Sequence, residues 1–309
     1  MLPLSWDQIN GNWATLLLPV NENDTINFEK LEKEIDYLIR AKVDGIYSNG
    51  TAGEFYSQSE EEFEKVNRIL AERCENAGMP FQIGASHMSP QISLKRMEKA
   101  VSLKPGAVQV ILPDWFPANE RTAINFLKTM AEAAAPTGLI LYNPPHAKRV
   151  LRPKEFAKLK VAVPEIVGIK TAGGDENWYR EMRECLPEVS VFIPGHYMAS
   201  GIKKGAHGSY SNVALLNPGG IQKWYDLIKT DIAAALKIEA KILEFMKSYI
   251  DPYITELGYP NHACDKLMAA IGGWADIGTR LRWPYPWIIQ ADAERLRPIA
   301  HEMIPEIFI

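Results

Sequence analysis

Short apolar runs alternate with amphipathic stretches along the first two thirds of the chain. Runs this rich in Val, Ile and Leu are typical of strands buried on both faces of a parallel sheet. Between them, apolar residues recur at helical spacing, as Leu31, Ile35 and Leu38 do within residues 28–41. The predicted strands lie at residues 13–18, 45–48, 81–85, 108–112, 139–142, 166–170, 189–193 and 208–211.

The alternation of strands and helices predicts a parallel sheet, and eight such units predict closure into a (β/α)8 TIM barrel, an α/β fold. The alternative is an open doubly wound sheet, which would need an early G-x-G-x-x-G turn, and the sequence contains none. After residue 211 the pattern is helical only, at 218–230, 232–248, 261–272 and 291–301. We therefore predict a catalytic barrel at residues 1–215 and a C-terminal helical region, residues 216–309, packed on it.

Composition narrows the class of partner. The 309 residues carry a net charge of −4, so there is no basic excess to bind nucleic acid. The three cysteines form no metal or redox spacing, and the first residues lack a signal-peptide pattern. No apolar run is long enough to span a membrane. We expect a cytoplasmic protein that has no metal and acts on a small molecule.

Lys170 is the most informative single residue. It ends the apolar segment 166–170, where a lysine costs burial energy unless it has a role. At its ordinary pKa, only about one lysine in 2,500 is neutral at pH 7, and burial lowers that pKa. Lys170 could therefore be an imine-forming nucleophile. The alternative is that it reaches solvent or pairs with Asp175.

Two other strand ends carry candidate groups. Tyr142 ends the segment 139–142 and could shuttle a proton, or it could simply pack against the prolines that follow. Residues 50–54 form a turn of small residues whose N–H groups could face an anion such as a carboxylate, or form an ordinary connection. His196 could contact a substrate, although a lone histidine more often has a structural role. Because parallel strands end at the same rim of a barrel, these groups should meet there.

Together these segments resemble the dihydrodipicolinate synthase / N-acetylneuraminate lyase family of pyruvate-dependent class I aldolases, and the resemblance spans the whole chain. The matching motifs are Gly50-Thr51-Ala52-Gly53-Glu54, Tyr142-Asn143-Pro144-Pro145, Gly168-Ile169-Lys170, Gly205-Ala206-His207-Gly208-Ser209 and Arg282-Trp283-Pro284-Tyr285-Pro286.

The resemblance implies a role for each matching residue. Lys170 would attack the 2-oxo carbon of pyruvate or a longer 2-oxo acid, Tyr142 would relay protons, and Thr51 would orient Tyr142. The N–H groups of Ala52 and Gly53 would hold the carboxylate. The covalent imine on Lys170 would replace a cofactor, and a homo-oligomer, a tetramer or a dimer, is expected. Further substrate contacts are expected from Gly195, His196, Ser209 and Tyr210.

Several positions depart from the family pattern. Ala52 replaces a threonine that would contact the carboxylate, and Trp115 or Phe116 stands where the synthases have a relay tyrosine. Ala147 occupies the place of an arginine that holds the second substrate in the synthases. His196 follows Gly195 where the lyases place acidic residues. These departures argue against both lysine biosynthesis and sialic acid cleavage.

We therefore expect a Schiff-base aldolase or lyase that cleaves, or condenses, a polar 2-oxo acid such as a 2-keto-3-deoxy sugar acid, giving pyruvate and an aldehyde. Dehydration of a 2-keto-3-deoxy acid through the same imine is the second candidate. A true 4-hydroxy-tetrahydrodipicolinate synthase and a catalytically silent 2-oxo-acid-binding protein remain as alternatives. The rim residues His87, Asp114, Trp115, His146, Lys148, His196, Ser209 and Tyr210 are candidates for substrate specificity.

Overall fold

The computed structural model describes residues 1–308. Eight parallel strands follow one another around a closed barrel, and the first strand also pairs with the last. The predicted (β/α)8 barrel is therefore confirmed. The strands are β1 (Gly11–Thr15), β2 (Gly45–Ser48), β3 (Phe81–Gly84), β4 (Ala107–Ile111), β5 (Gly138–Asn143), β6 (Ile166–Thr171), β7 (Ser190–Ile193) and β8 (Gly208–Ser211).

Helices surround the strands and continue past them as a C-terminal extension. The helix at 218–230, which the sequence analysis assigned to the C-terminal region, contacts the first strand and is grouped here with the barrel helices. The barrel helices are α1 (Phe28–Arg40), α2 (Glu60–Ala77), α3 (Pro90–Ser102), α4 (Glu120–Ala134), α5 (Pro153–Ala162), α6 (Glu176–Cys185), α7 (Met198–Lys203) and α8 (Pro218–Thr230). The later helices are α9 (Ile232–Phe245), α10 (Asp251–Thr255), α11 (Asn261–Gly272) and α12 (Gln290–Met303), with a π-helical turn at Met246–Ile250 between α9 and α10. Within residues 1–308 no helix is both long and apolar enough to cross a membrane.

Two elements differ from their predicted bounds by three residues at one end. The first strand was expected at residues 13–18, but β1 begins at Gly11 and ends at Thr15. Leu16, Leu17 and Leu18 are fully buried although they follow the strand, so the apolar run reports burial against helices as well as strand pairing. The helix expected at 232–248 changes at Met246 into the π-helical turn.

The core has two layers around the barrel wall. Outward-facing strand residues pack against the barrel helices in one large cluster. Inward-facing side chains fill the barrel itself, because successive residues of a strand point to opposite faces. These interior residues include Ile9, Trp13, Tyr47, Ala107, Ile140, Phe192 and Tyr210. These side chains fill the barrel interior, and the open space lies at the carboxyl ends of the strands.

A register shift in β6 sets which of its residues face inward. Leu139 pairs with Ile166, but Ile140 pairs with Gly168, so Val167 is an extra residue in β6. Beyond the shift, Tyr142 pairs with Lys170. Because paired residues on neighbouring strands point to the same face of a sheet, the shift directs both Tyr142 and Lys170 into the barrel.

Candidate active site

A cavity of about 380 Å³ opens at the carboxyl ends of the strands, within the size range of small-molecule sites. Side chains from six strands line it, and helices of the C-terminal extension form its outer wall. The lining residues are Thr15, Tyr47, Thr51, Ala52, Tyr142, Pro145, His146, Lys170, Thr171, Ala172, Ile193, Pro194, His196, Tyr197, Tyr210, Asn212, Met246, Ile250, Asp251, Ile254, Asn261, Cys264, Asp265 and Met268.

Lys170 reaches this cavity through a cluster of aromatic rings. Its Nζ donates a hydrogen bond to the Tyr47 hydroxyl at 2.9 Å. The same nitrogen lies 4.2 Å from the ring centroid of Tyr142 and 5.3 Å from that of Tyr210. Burial is the main cause that lowers the pKa of Lys170 to about 7. A large share of the amine is therefore neutral at pH 7, as a carbonyl nucleophile must be.

Asp265 of α11 is the main charged group that acts against this effect. Its negative charge favours the ammonium form of Lys170, although less strongly than burial disfavours it. Burial in turn raises the pKa of the Asp265 carboxyl to about 7, while the nearby Lys170 opposes that rise. The cavity thus holds one amine and one carboxyl group that both titrate close to neutral pH.

Tyr142 and Thr51 meet beside the lysine. The Tyr142 hydroxyl and the Thr51 Oγ1 are 3.4 Å apart, and either oxygen can be the donor. Burial raises the pKa of Tyr142, so its phenol keeps its proton at neutral pH and can donate it. The structure therefore brings together the three residues predicted as the catalytic group.

The turn at residues 50–54 is held in place from outside the cavity. Glu54 adopts a left-handed conformation with φ of 48°. Its carboxylate forms an ion pair of 2.7 Å with Lys266 of α11, and both side chains are fully buried. It also accepts a hydrogen bond from the N–H of Arg282. These contacts fix the backbone that carries Thr51 and Ala52 at the edge of the cavity.

The backbone N–H groups of Ala52 and Gly53 are available to an anion. No hydrogen bond within residues 1–308 uses either of them, whereas the next N–H along the chain, that of Glu54, bonds the carbonyl of Thr51. Ala52 lines the cavity, and Gly53 lies behind it, where an added Cβ would approach the Leu16 carbonyl at 3.0 Å. A substrate carboxylate could accept hydrogen bonds here without displacing an internal one.

His196 lines the cavity and is fixed by Asn212. The His196 Nδ1 and the Asn212 side-chain amide lie 3.0 to 3.3 Å apart, and the Asn212 Oδ1 also accepts the Gly195 N–H at 3.0 Å. Burial lowers the pKa of His196, so its ring is neutral at pH 7. Gly195 is buried and does not line the cavity. A Cβ added there would meet the Ser211 Oγ at 2.4 Å.

The two candidates on β8 point to opposite faces. Tyr210 lies in the barrel, where its hydroxyl donates a hydrogen bond to Gln82. Ser209 is fully buried on the other face, and its Oγ donates to the carbonyl of Ile193 at 2.7 Å. Adjacent strand residues alternate between faces, so only one of this pair can line the cavity.

Some of the residues predicted to determine specificity at the rim line the cavity, and others do not. His146 lines the cavity, whereas His87, Asp114, Trp115 and Lys148 do not. The Lys148 Nζ instead donates to the carbonyl of Trp115, and its backbone N–H donates to Asp114. No group of three or more His, Cys, Asp or Glu side chains in the described part of the chain could hold a metal ion.

The sequence analysis missed two cavity residues that act directly on Lys170. Tyr47 lies within the apolar segment 45–48, where a tyrosine is an ordinary strand residue, so its contact with Lys170 gave no local signal. Asp265 lies on a predicted helix far along the chain from Lys170. The same helix also buries His262 and Lys266, so a charged side chain on it gave no signal specific to the cavity.

The comparison with known families decides the classification. The model of the dihydrodipicolinate synthetase family matches residues 8–262. The chain belongs to this family. It is accordingly a class I lyase or aldolase of the Schiff-base type, as the motifs indicated.

Individual relatives in the family have different activities. A 4-hydroxy-tetrahydrodipicolinate synthase from Staphylococcus epidermidis is 26% identical over 248 residues, covering 78% of this chain and 83% of the relative. An N-acetylneuraminate lyase from an Enterobacter species is 25% identical over 204 residues, covering 65% of this chain and 68% of the relative. At these identities the chain is similar to both kinds of enzyme.

Solved structures show the same fold. YagE, a prophage protein of the dihydrodipicolinic acid synthase family from E. coli K12, superposes with a TM-score of 0.84 at 18% identity, covering 96% of this chain and 98% of that chain. The Ruminococcus gnavus sialic acid aldolase superposes with a TM-score of 0.83 at 20% identity, covering 97% and 98%. These matches concern the fold alone.

Proposed function

We propose that this protein is an aldolase that cleaves a monocarboxylic 2-keto-3-deoxy sugar acid to pyruvate and an aldehyde, through an imine on Lys170. The observation that carries the proposal is the environment of Lys170, whose amine is held mostly out of water and 2.9 Å from the Tyr47 hydroxyl. Its lowered pKa supplies the neutral amine that addition to a ketone requires.

In the proposed reaction the neutral Lys170 amine adds to C2 of the 2-oxo acid, and loss of water leaves an iminium ion. The C4 hydroxyl then gives up its proton, the C3–C4 bond breaks, and its electron pair moves to the iminium nitrogen to form an enamine. Protonation of the enamine at C3, followed by hydrolysis, releases pyruvate and the free lysine. The iminium ion is the electron sink, so the cycle needs no cofactor.

The surrounding groups have separate proposed roles. Tyr142, oriented by Thr51, exchanges protons with the carbinolamine and the C4 hydroxyl. The N–H groups of Ala52 and Gly53 hold the carboxylate next to C2. His196 and Tyr210 contact the remainder of the substrate. Gly195 and Ser209 act indirectly, by letting β7 and β8 pack closely behind those two side chains.

The charges of the cavity support a substrate with one carboxylate. Lys170 is the only lysine or arginine that lines the cavity within the described residues. The Arg149 guanidinium points elsewhere, toward the carbonyl of Ala118 and the carboxylate of Glu155. A second carboxylate on the substrate would find no cation, which weighs against 4-hydroxy-tetrahydrodipicolinate synthase activity.

Dehydration through the same imine is the second candidate. It needs removal of a C3 proton and departure of the C4 hydroxyl with a proton, and both reactions begin with the same amine. The Asp265 carboxyl, whose pKa is raised to about 7 by burial, is a group that could protonate a departing hydroxyl. A catalytically silent binding protein is less favoured, because it would not need a neutral amine.

Two measurements test the proposal. Borohydride reduction with pyruvate should attach the three-carbon unit to Lys170, and Lys170→Ala should remove it, whereas Lys128→Ala on the exposed face of α4 should not. A screen of 2-keto-3-deoxy acids should release pyruvate with wild type and not with Lys170→Ala. Absence of an adduct on wild type would contradict the proposed chemistry, and product without pyruvate would favour dehydration.

A further inference from the structure

Asp265 lies in the cavity without a protein partner. Its carboxylate lines the space beside Lys170, yet no hydrogen bond or ion pair within residues 1–308 involves it. Asp265 is partly buried, and a carboxylate that loses water without gaining a hydrogen-bond partner costs free energy. A titratable group perturbed by burial and lying in a cleft is a candidate functional residue.

The position of Asp265 is fixed by the residue that follows it. Lys266 forms the buried ion pair with Glu54 of the 50–54 turn and also donates to the carbonyl of Arg280. This pair ties α11 to the backbone that carries Thr51 and Ala52. Asp265 is therefore held at a set place in the wall of the cavity, and it does not depend on a mobile loop.

The neighbouring groups leave this carboxylate free for a substrate. The charged group that acts on Asp265 is Lys170, which the proposed imine would occupy, and His196 is neutral at pH 7. Asp251, which also lines the cavity, is exposed and carries the same sign of charge. Tyr47 and Tyr142 keep their protons. In its ionised form Asp265 thus offers hydrogen-bond acceptors and repels anions.

We propose that Asp265 determines substrate specificity by accepting a hydrogen bond from a hydroxyl group on the distal part of the substrate and by rejecting substrates with a second carboxylate there. The inference rests on the proposed Schiff-base function and adds the substrate class to it. The substrate is then a 2-oxo acid that is neutral and hydroxylated beyond C3. Asp265 is separated in sequence from every motif that carries the family resemblance.

The test uses the condensation direction, in which the acceptor aldehyde can be varied. Pyruvate is combined with glyceraldehyde, which is neutral and hydroxylated, or with glyoxylate, which carries a carboxylate. Wild type, Asp265→Asn and the control Glu256→Gln are compared by the ratio of kcat/KM for the two acceptors. Glu256 is exposed and lies outside the cavity, so this control removes the same charge elsewhere.

Wild type should prefer glyceraldehyde, and Asp265→Asn should lower the preference at least tenfold, which corresponds to about 1.4 kcal/mol. Glyoxylate condensation should increase in absolute terms, and Glu256→Gln should leave the ratio within twofold. An unchanged ratio in Asp265→Asn, an equal loss for both acceptors, or no condensation of either acceptor by wild type would overturn the inference.

Borohydride trapping with pyruvate separates this inference from the proposed function. If wild type and Asp265→Asn both form the adduct, the Schiff-base chemistry stands whatever the acceptor ratio shows. If wild type forms no adduct, the proposed Schiff-base function is contradicted, and the inference about Asp265 is rejected with it. Trapping also reports that the Asp265→Asn variant is folded, because the imine requires the assembled cavity.

Discussion

The pH dependence of imine formation follows directly from the environment of Lys170. Its pKa falls from 10.5 to about 7, mainly because the amine is buried. Each pKa unit corresponds to 1.36 kcal/mol, so the shift represents about 5 kcal/mol that disfavours the ammonium form. At pH 7 about half of the Lys170 amine is neutral, roughly a thousandfold more than for an unperturbed lysine.

We expect the rate of pyruvate imine formation, at pyruvate concentrations well below saturation, to rise with pH and level off above about pH 7.5. The assay is reductive trapping with cyanoborohydride from pH 5.5 to 9.5, followed by mass spectrometry of the peptide that contains Lys170. Free Nα-acetyl-lysine, treated in parallel, gives the profile of an amine with an ordinary pKa.

A rate that continues to rise with hydroxide up to pH 9.5, as the free lysine should, would refute the argument that burial supplies the neutral amine.

The same pKa shift also determines how folding stability changes with pH. A lysine with a lowered pKa in the folded state binds fewer protons there than in the unfolded chain, so stability increases between the folded and unfolded pKa values, from about pH 7 to 10.5.

Three further predictions concern Asp265, Tyr47 and the ion pair behind the 50–54 turn. In Asp265→Asn the midpoint of the same trapping profile should move to lower pH, because the Asp265 charge raises the pKa of Lys170, and a midpoint at higher pH would contradict this. Tyr47→Phe removes the 2.9 Å hydrogen bond and should slow trapping about three- to tenfold, as expected for one bond of about 1 kcal/mol, whereas an unchanged rate would exclude a positioning role. Glu54→Gln should lower the free energy of unfolding in urea by about 3–5 kcal/mol, because it leaves Lys266 buried and unpaired, while Glu64→Gln in the exposed pair with Lys99 should change it by less than about 1 kcal/mol. Equal effects of these last two changes would argue against the buried pair.

The sequence determined the fold class and the residues at most strand ends, because both follow from local patterns of apolar and polar residues. Apolar runs of strand length, separated by amphipathic helices, indicate strands that are buried on both faces of a parallel sheet. Eight such strands, each followed by a helix, are typical of a closed (β/α)8 barrel. Lys170, Tyr142 and the 50–54 turn each follow such a run, so their meeting at one rim was predictable. Tyr142 and Thr51 do lie within 3.4 Å of each other.

The direction in which each strand side chain points was harder to predict from the sequence, because it depends on the register of strand pairing. The apolar pattern of 166–170 does not reveal that Val167 is an extra residue, yet this shift is what pairs Lys170 with Tyr142. Ser209 and Tyr210 were both candidates, and only pairing with β7 and β1 decides which of them faces the barrel. A change of one residue in register moves every side chain beyond it to the other face.

The tertiary structure alone decided which distant residues complete the site. Tyr47 contacts Lys170 from across the barrel, 123 positions away in sequence. Asp265 reaches the cavity because a buried ion pair between Lys266 and Glu54 holds α11 against the barrel. Neither contact has a periodic or local signal, because each depends on how closed strands and an added helix pack. The pKa of Lys170 follows from that packing, and so does the chemistry proposed for it.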